Sequence, residues 1–452
     1  MRRITLWTSI LTLTLASALQ AAPLTLEQAV KTAWKKNPDL AMVKEATNQA
    51  EAYAQKAKAA FYPRLGLYTE AVRADAPSAF LFKTIDQRQF KNGTDFNEPG
   101  MVENIEGGLE VRLSLYNGGR DTLTLGSARA GVAASRASQE VLKHTITQQM
   151  VNAWYDTLSS RKFMEIARES VKTVTSQLDA MTIRFKGGSV LKSDLLSLKV
   201  RLAEAEERLL ASENRLKLSR AALFVLMGME PDSDAQLSHD APFSPWLPPD
   251  YANGIARALA SRHEIKGVEA RIAQANHAVK KARSGHLPTV NLMAKLYADD
   301  DGLSHDANRA NWSVGLRMDL PIFEGFSVTA NTHRATAAKR ELERMHQKTL
   351  LQIRLEVKNA YLRYEEAVKR HQVAMKAVSM GEESLALVKN QYQGGSATIT
   401  RYLEAELARN SAKIRETAAY FDMQKALAAI ARATATTGDG PGSLFAATPK
   451  GE

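Results

Sequence analysis

One pattern of residues is written twice in this chain, and it restricts the fold more than any other feature. In Asn104–Arg120 (NIEGGLEVRLSLYNGGR), Leu109, Val111, Leu113 and Leu115 point one way, and Gly108, Glu110, Arg112 and Ser114 the other. Period-two alternation of this length predicts a strand with one apolar and one polar face. The strand stops at Asn117-Gly118-Gly119 and a very long helical tract follows. Trp312–Phe326 (WSVGLRMDLPIFEGF) repeats the pattern, with Val314, Leu316, Met318 and Leu320 opposite Ser313, Gly315, Arg317 and Asp319. Tyr116-Asn117-Gly118 aligns with Phe323-Glu324-Gly325 at an offset of 207. The same offset matches Ala153-Trp154-Tyr155 to Ala360-Tyr361-Leu362, and Phe185-Lys186-Gly187-Gly188 to Tyr392-Gln393-Gly394-Gly395. A register held over so many residues implies an internal duplication of a strand–long helix–Gly-Gly–helix unit. The expected class is mainly α with four strands per chain.

The helical tract Gly119–Phe185 contains no proline. At about 1.5 Å per residue it would run about 100 Å, too long for a core helix, so it implies a coiled coil or a helical tube. Gly187-Gly188 should end it, and Ser193-Asp194 can cap a return helix reaching about Leu226. Charge pairs on that helix, such as Glu204–Arg208, read as a solvated face. The first repeat therefore spans 22–227, with strands at about 64–73 and 104–116 and long helices over 119–226. It opens with Thr25 and Gln28 in capping-box spacing, and Asn37-Pro38 should separate two helices. Between its strands, 75–103 reads as a long polar loop. A Pro-rich linker, 228–250, leads to a second repeat over 251–437. There a helix at 251–284, strands at about 290–297 and 312–320, and long helices over 328–434 are expected. Pro63 and Pro288 lie 225 apart rather than 207, so the first inter-strand loop is longer than the second by 18 residues. The Gly/Pro-rich tail 438–452 reads as disordered.

Met1-Arg2-Arg3, the apolar run Ile4–Leu15 and the small residues after it have the form of a signal peptide over 1–21, cleaved after Ala18 or Ala21. The chain has no cysteine, which excludes disulfides, Cys metal sites and an N-terminal lipid on Cys. No later stretch approaches the roughly 18 apolar residues of a membrane helix. An exported chain of this kind can enter a membrane only through a closed β-barrel. Four strands are too few to close, so their edges must join those of other chains: three copies give twelve strands, four give sixteen. Leu109, Val111, Leu113, Leu115, Val314, Leu316, Met318 and Leu320 would then face lipid, and Glu110, Arg112, Arg317 and Asp319 the lumen. A periplasmic coiled-coil scaffold without a pore is the alternative, but it has no need of apolar strand faces.

In this combination the chain resembles the outer-membrane efflux protein (TolC-like) family, as a non-lipidated member, over essentially its whole mature length. The resemblance rests on the duplication, Asn37-Pro38, Phe61-Tyr62-Pro63-Arg64 before a strand, Leu320-Pro321-Ile322-Phe323-Glu324-Gly325 after one, and the tip segments Arg184–Gly188 and Asn390–Gly395. It implies a homotrimer whose twelve-stranded transmembrane β-barrel continues as a helical tunnel into the periplasm. It further implies docking of Gly187, Gly188, Gly394 and Gly395 to a periplasmic adaptor, and an inner-membrane pump or secretion ATPase behind it. Drug, metal, peptide and protein cargo all fit such a duct, in multidrug efflux or type I secretion. By position, the resemblance assigns Asp194 and Tyr392 to the lock that closes the tunnel tip. Ala397 stands where the lock arginine is expected, and of two acidic ring positions Glu404 keeps the charge while Arg401 reverses it. The expectation is that Arg401 substitutes for the missing arginine.

The net charge of +11 has no compact Lys/Arg cluster interleaved with aromatics, so no nucleic-acid partner is expected. His263-Glu264 lacks the second histidine of HExxH, and no nucleophile elbow, Walker loop or dinucleotide fingerprint occurs, so neither an enzyme nor a cofactor is expected. Asp299-Asp300-Asp301-Gly302 lacks EF-hand spacing and reads as a solvated turn, with no metal site.

Overall fold

The computed structural model describes residues 23–95, 97–238, 248–302 and 309–436. The expected signal peptide, the tail 438–452, part of the linker and part of the second inter-strand loop lie outside the described residues.

Strands β1 (Arg64–Ala74), β2 (Val102–Asn117), β3 (Thr289–Asp300) and β4 (Ala310–Asp319) form one antiparallel sheet in the order β1-β2-β3-β4. The pairing sets side chains in rows across it. Leu67, Leu109, Leu296 and Trp312 make one row; Leu65, Val111, Ala294 and Val314 the next; Leu113, Leu292 and Leu316 a third. Directly opposed residues share a face, so these rows build one continuous apolar surface. It is uncovered: Leu67 is 83% exposed and Trp312 76%. The alternate rows carry the polar side chains: Arg64 and Arg112, with Met293 the apolar exception; Glu110 and Lys295; Tyr68 and Tyr297; Glu106 and Asp299. Two expected members of the apolar face sit differently. A bulge between Ser114 and Tyr116 makes Leu115 the extra residue, and Tyr116 opposes Val290 in its place. Leu320 follows the end of β4, where Pro321 has no N–H for the ladder. Both remain about half exposed.

Each repeat turns from strand to helix through two consecutive residues with positive φ. They are Gly118 and Gly119 in the first repeat, Gly325 and Phe326 in the second. Phe326 holds the left-handed conformation at φ 65° despite its Cβ, at a cost of about 1 kcal/mol. Its ring packs edge-on against Phe323 at 5.4 Å. Phe61, Tyr62, Tyr116, Phe323 and Phe326 leave an exposed aromatic belt at this end of the sheet.

Below the corner, α4 (Arg120–Lys186) and α8 (Ser327–Gln393) run 67 residues each, and α5 (Lys192–Leu226) and α9 (Ile399–Ala433) return 35. The return helices cover only the far half. The half nearest the sheet is covered by α2 (Pro38–Lys58) on α4 and by α7 (His263–Arg283) between α4 and α8. At mid-length the shorter helices α1 (Leu26–Lys36) and α6 (Tyr251–Ser261) complete two cores. One gathers Trp154, Tyr155, Met150 and Phe224 around α1; the other gathers Ile353, Val357 and Ile430 around α6. The capping box at Thr25 and Gln28 forms in both directions.

Four local features differ from the sequence expectation. Ser193-Asp194 do not cap the return helix: α5 begins at Lys192 with Leu191 at its N-cap, so both lie inside its first turn. The first inter-strand segment contains a helix, α3 (Pro77–Asp86), started by Pro77 at its first turn. The helix expected over 251–284 is broken at Arg262, whose φ −67° and ψ 130° match Asn37's −64° and 125° between α1 and α2. Arg262 lies 225 residues after Asn37, so the break belongs to the duplication although no proline marks it. Asp299 and Asp300 form the buried end of β3, not a solvated turn.

The Arg262 break is held by charge. Its guanidinium, 3% exposed, donates to both Glu264 oxygens at 2.7 and 3.1 Å and to Glu356 of α8 at 2.6 Å. Arg432 of α9 adds a contact to Glu264 at 2.8 Å. Burial alone would raise the Glu264 carboxyl, but the hydrogen bond from Arg262 and the charge of Arg432 hold it down at about 2. A depressed carboxyl stabilises the fold above its ordinary range and stops doing so as pH falls toward 2. Glu264→Gln should cost roughly 2 kcal/mol locally at neutral pH, about a thirtyfold loss of amide protection in α6 and α7. Hydrogen exchange corrected for intrinsic rate should show the gap between variant and wild type closing from about pH 5 toward pH 2.

Candidate functional site

The two glycine turns close the far ends of the helical hairpins with the same hydrogen bonds. The N–H of Ser189 donates to Arg184 O at 2.9 Å and that of Gly188 to Phe185 O at 3.0 Å; Ser396 and Gly395 repeat this on Gln391 O and Tyr392 O at 2.8 and 3.1 Å. This double bond set ends a helix on one residue in the left-handed region. Gly188 and Gly395 occupy it at φ 72° and 79°, with nothing within 4 Å of where a Cβ would stand. Gly187 and Gly394 are exposed beside them. The tips are therefore open surfaces, and Thr398 caps α9 by accepting from the Arg401 N–H at 3.3 Å.

Behind the turns the two hairpins meet in a small core of Val174, Met181, Leu198, Val388, Ile399 and Tyr402. Tyr392 packs against it and stacks on Tyr402 at 5.7 Å and 26°. The Arg184 guanidinium lies over the Tyr392 ring at 5.7 Å, so the end of α4 meets the end of α8. Asp194 is half-buried in the first turn of α5, where the helix dipole favours its charge. Among the described residues neither Asp194 nor Tyr392 hydrogen-bonds the other. Arg401 and Glu404 are exposed on α9, and within the described chain neither makes an ion pair. The expected gate residues thus divide into Tyr392, built into the inter-hairpin core, and Asp194, Arg401 and Glu404 on its outside.

Tyr402 and Glu406, which the sequence does not single out, complete the tip together with Arg184 of the expected tip segment. Glu406 lies one turn beyond Tyr402 and is 4% exposed. Burial raises its carboxyl above the usual range, while Arg201 of α5, Arg409 of α9 and the side chain of Asn410 pull it back. Glu169 of α4 pairs with Arg409 at 2.9 Å and adds a further negative charge nearby. In sequence Glu406 is one of four acidic residues on α9, and only the packing of the second hairpin identifies it as buried.

At the other end, α3 lies across the polar face of the sheet. Lys83 reaches Glu106 of β2 and Asp299 of β3, both at 3.0 Å. Tyr68 donates to Glu106 at 2.6 Å, and Asn104 donates to Asp299 at 2.7 Å. Gln87, 2% exposed, follows α3 and donates to Glu103 O and Asn104 Oδ1, each at 2.8 Å. Farther down the same face, Arg112 pairs with Glu110 at 2.8 Å and Arg317 with Asp319 at 3.1 Å. The face is therefore a charged wall, backed by an exposed apolar one. Among the described residues no cluster of side chains has the form of a metal site, and no helix is long and apolar enough to cross a membrane.

Comparison with known proteins accounts for this combination. The outer membrane efflux protein family profile matches residues 29–229 and 254–436. The pyoverdine export outer membrane protein OpmQ of Pseudomonas aeruginosa is 22% identical over 318 residues, 70% of this chain and 66% of that protein. The CmeC outer membrane channel of Campylobacter jejuni superposes with a TM-score of 0.78 at 18% identity, covering 90% of this chain and 85% of that one. The outer membrane protein VceC of Vibrio cholerae superposes at 0.76 and 20% identity, covering 90% and 95%. The fold is that of these channels, the helical part is periplasmic, and the family is one of outer-membrane channel proteins and not of enzymes. This chain belongs to the outer membrane efflux protein family.

Proposed function

We propose that three copies of the chain close their sheets into a twelve-stranded transmembrane barrel, continued into the periplasm by twelve long helices. The assembly would serve as the exit duct of a tripartite efflux pump or a type I secretion system. The observation that carries this reading is the sheet itself: four strands, unpaired edges at β1 and β4, one exposed apolar face and one charged face. Edges facing hydrocarbon leave backbone groups without partners, so β1 of one copy must pair with β4 of the next. The apolar rows and the aromatic belt then meet lipid, and Glu110, Arg112, Arg317 and Asp319 line the lumen. Exposed apolar residues along the helices, among them Leu210, Leu218, Leu351, Leu355 and Val373, supply the surface on which neighbouring copies pack.

The duct is passive, and its gate is the tip. Three copies of the Arg184–Tyr392–Tyr402 stack hold each chain's hairpins together, and rings of Arg401 and Glu404 lie outside them, free to pair between copies. Charged rings of this kind select by sign and can tie a constriction shut. The open glycine turns at Gly187, Gly188, Gly394 and Gly395 offer a periplasmic adaptor its docking point. The adaptor and an inner-membrane pump or ATPase would supply the energy to part the rings.

Single-channel recording of the purified protein in a planar bilayer should show small, mostly closed steps. Arg401→Ala and Glu404→Ala should each raise open probability severalfold; unchanged currents in both would remove the rings from the gate, and absence of current from assembled protein would favour a pore-less scaffold. The buried carboxyl gives a second test. Because burial raises Glu406, its charged form weakens the tip at neutral pH, and protonation as pH falls through the raised value relieves this. Glu406→Gln, neutral throughout, should slow amide exchange around Tyr402 roughly fivefold at pH 7.5, with the advantage gone once wild type is protonated. An equal advantage at every pH would mean that its charge is not what strains the tip.

A further inference from the structure

The docking of α3 on the charged wall has a consequence for the outer end of the duct. If that wall is the lumen, α3 does not lie outside the barrel among the surface loops. It folds back into the mouth. We propose that α3 is an external lid, latched by Lys83 between Glu106 and Asp299, and closed by the α3 helices of the other two copies. The inference rests on the barrel proposed above.

The latch is built rather than incidental. Asp299 is fully buried at the upper end of β3 and takes hydrogen bonds from both Lys83 and Asn104. Gln87 and the Asn104 amide extend the network into the β2 backbone. Lifting α3 would leave a buried carboxylate without its cation, which is far costlier than breaking a surface pair. The face of α3 turned from the wall is apolar, with Phe82 64% and Ile85 47% exposed among the described residues. In the proposed barrel that face would turn toward the axis, where the other two copies stand.

The bore is narrow enough to be closed this way. Strands about 4.8 Å apart, tilted about 40°, give a twelve-stranded barrel about 24 Å across between backbones. The wall's inward side chains take up part of that width, so α3 helices of about 10 Å diameter docked from three copies leave no free bore at the mouth. Phe82 and Ile85 of the three copies would then meet near the axis as an apolar plug. The second inter-strand loop is shorter by 18 residues, so only the first repeat has chain enough for a lid.

The absence of cysteine makes the test direct. Arg112→Cys places a lone thiol on the lumen wall, six residues or about 20 Å below Glu106 along β2. Its rate of labelling by a bulky membrane-impermeant maleimide is measured on intact cells. The background is otherwise wild type, or carries Lys83→Met, or has residues 77–90 replaced by a short Gly-Ser linker. Asn92→Cys, in the exposed part of the same loop, reports surface display in each background. Labelling of Arg112→Cys should be slow in the first background and at least tenfold faster in the other two. Fast labelling in all three would overturn the lid while leaving the barrel intact. Acceleration by the linker but not by Lys83→Met would overturn the latch. If Asn92→Cys labels but Arg112→Cys resists even a small charged maleimide in the linker variant, the wall does not face a lumen and the barrel itself is wrong.

Discussion

An unpaired strand edge cannot face hydrocarbon, and nearly everything else in this chain follows from that constraint. Each repeat supplies one pair of strands, and two repeats supply a sheet that twists but does not close. The apolar rows from Leu65 to Met318 are stable only against lipid, and the edges only against further copies. The proposed threefold closure would in turn demand that the helices below be long and continuous, since they would carry a duct of the barrel's width away from the membrane. The left-handed corners at Gly118-Gly119 and Gly325-Phe326 turn each strand into its helix within a few residues.

Tubes of long helices have little core per residue, and the chain meets this in two ways. At mid-length it thickens the wall with α1 and α6, where Trp154, Tyr155 and Phe224 are wholly buried. Elsewhere it joins the hairpins by polar contacts between α4 and α9: Glu169 with Arg409, Asp156 with Lys425. Exposed pairs of this sort contribute only about 0–1 kcal/mol each. The Arg262 cluster differs because it is buried and bidentate, and it joins α7, α8 and α9 where the second repeat breaks its helix.

The two ends of the proposed duct carry different kinds of closure. At the periplasmic tip, aromatic stacking holds each chain's hairpins and exposed charge rings lie between copies, an arrangement a partner can compete with. At the outer mouth, a lysine on a buried carboxylate latches α3 within each chain, and the apolar faces of α3 would meet between copies. A duct needs both when the compartments it joins must stay separate while no cargo is passing.

Much of this was legible in the residues. Period-two stretches around Val111 and Val314 marked the strands and their faces, because a half-buried strand must alternate. The offset of 207 disclosed the duplication, and the glycine pairs located both tips, because only glycine enters the left-handed region cheaply. The helix in the first loop was obscured by the polar residues around it, and the break at Arg262 by the lack of a proline. Leu115 and Leu320 followed the alternation in sequence but not in the sheet, since a bulge and Pro321 decide the ladder there. What sequence determined alone was the order, period and repeat of the elements, which are properties of neighbouring residues. What the tertiary structure decided was which charges are buried: Asp299 beneath Lys83, Glu406 between two hairpins, Arg262 among three helices. Those depend on segments up to 216 residues apart, as Lys83 and Asp299 are, and no local pattern carries that distance.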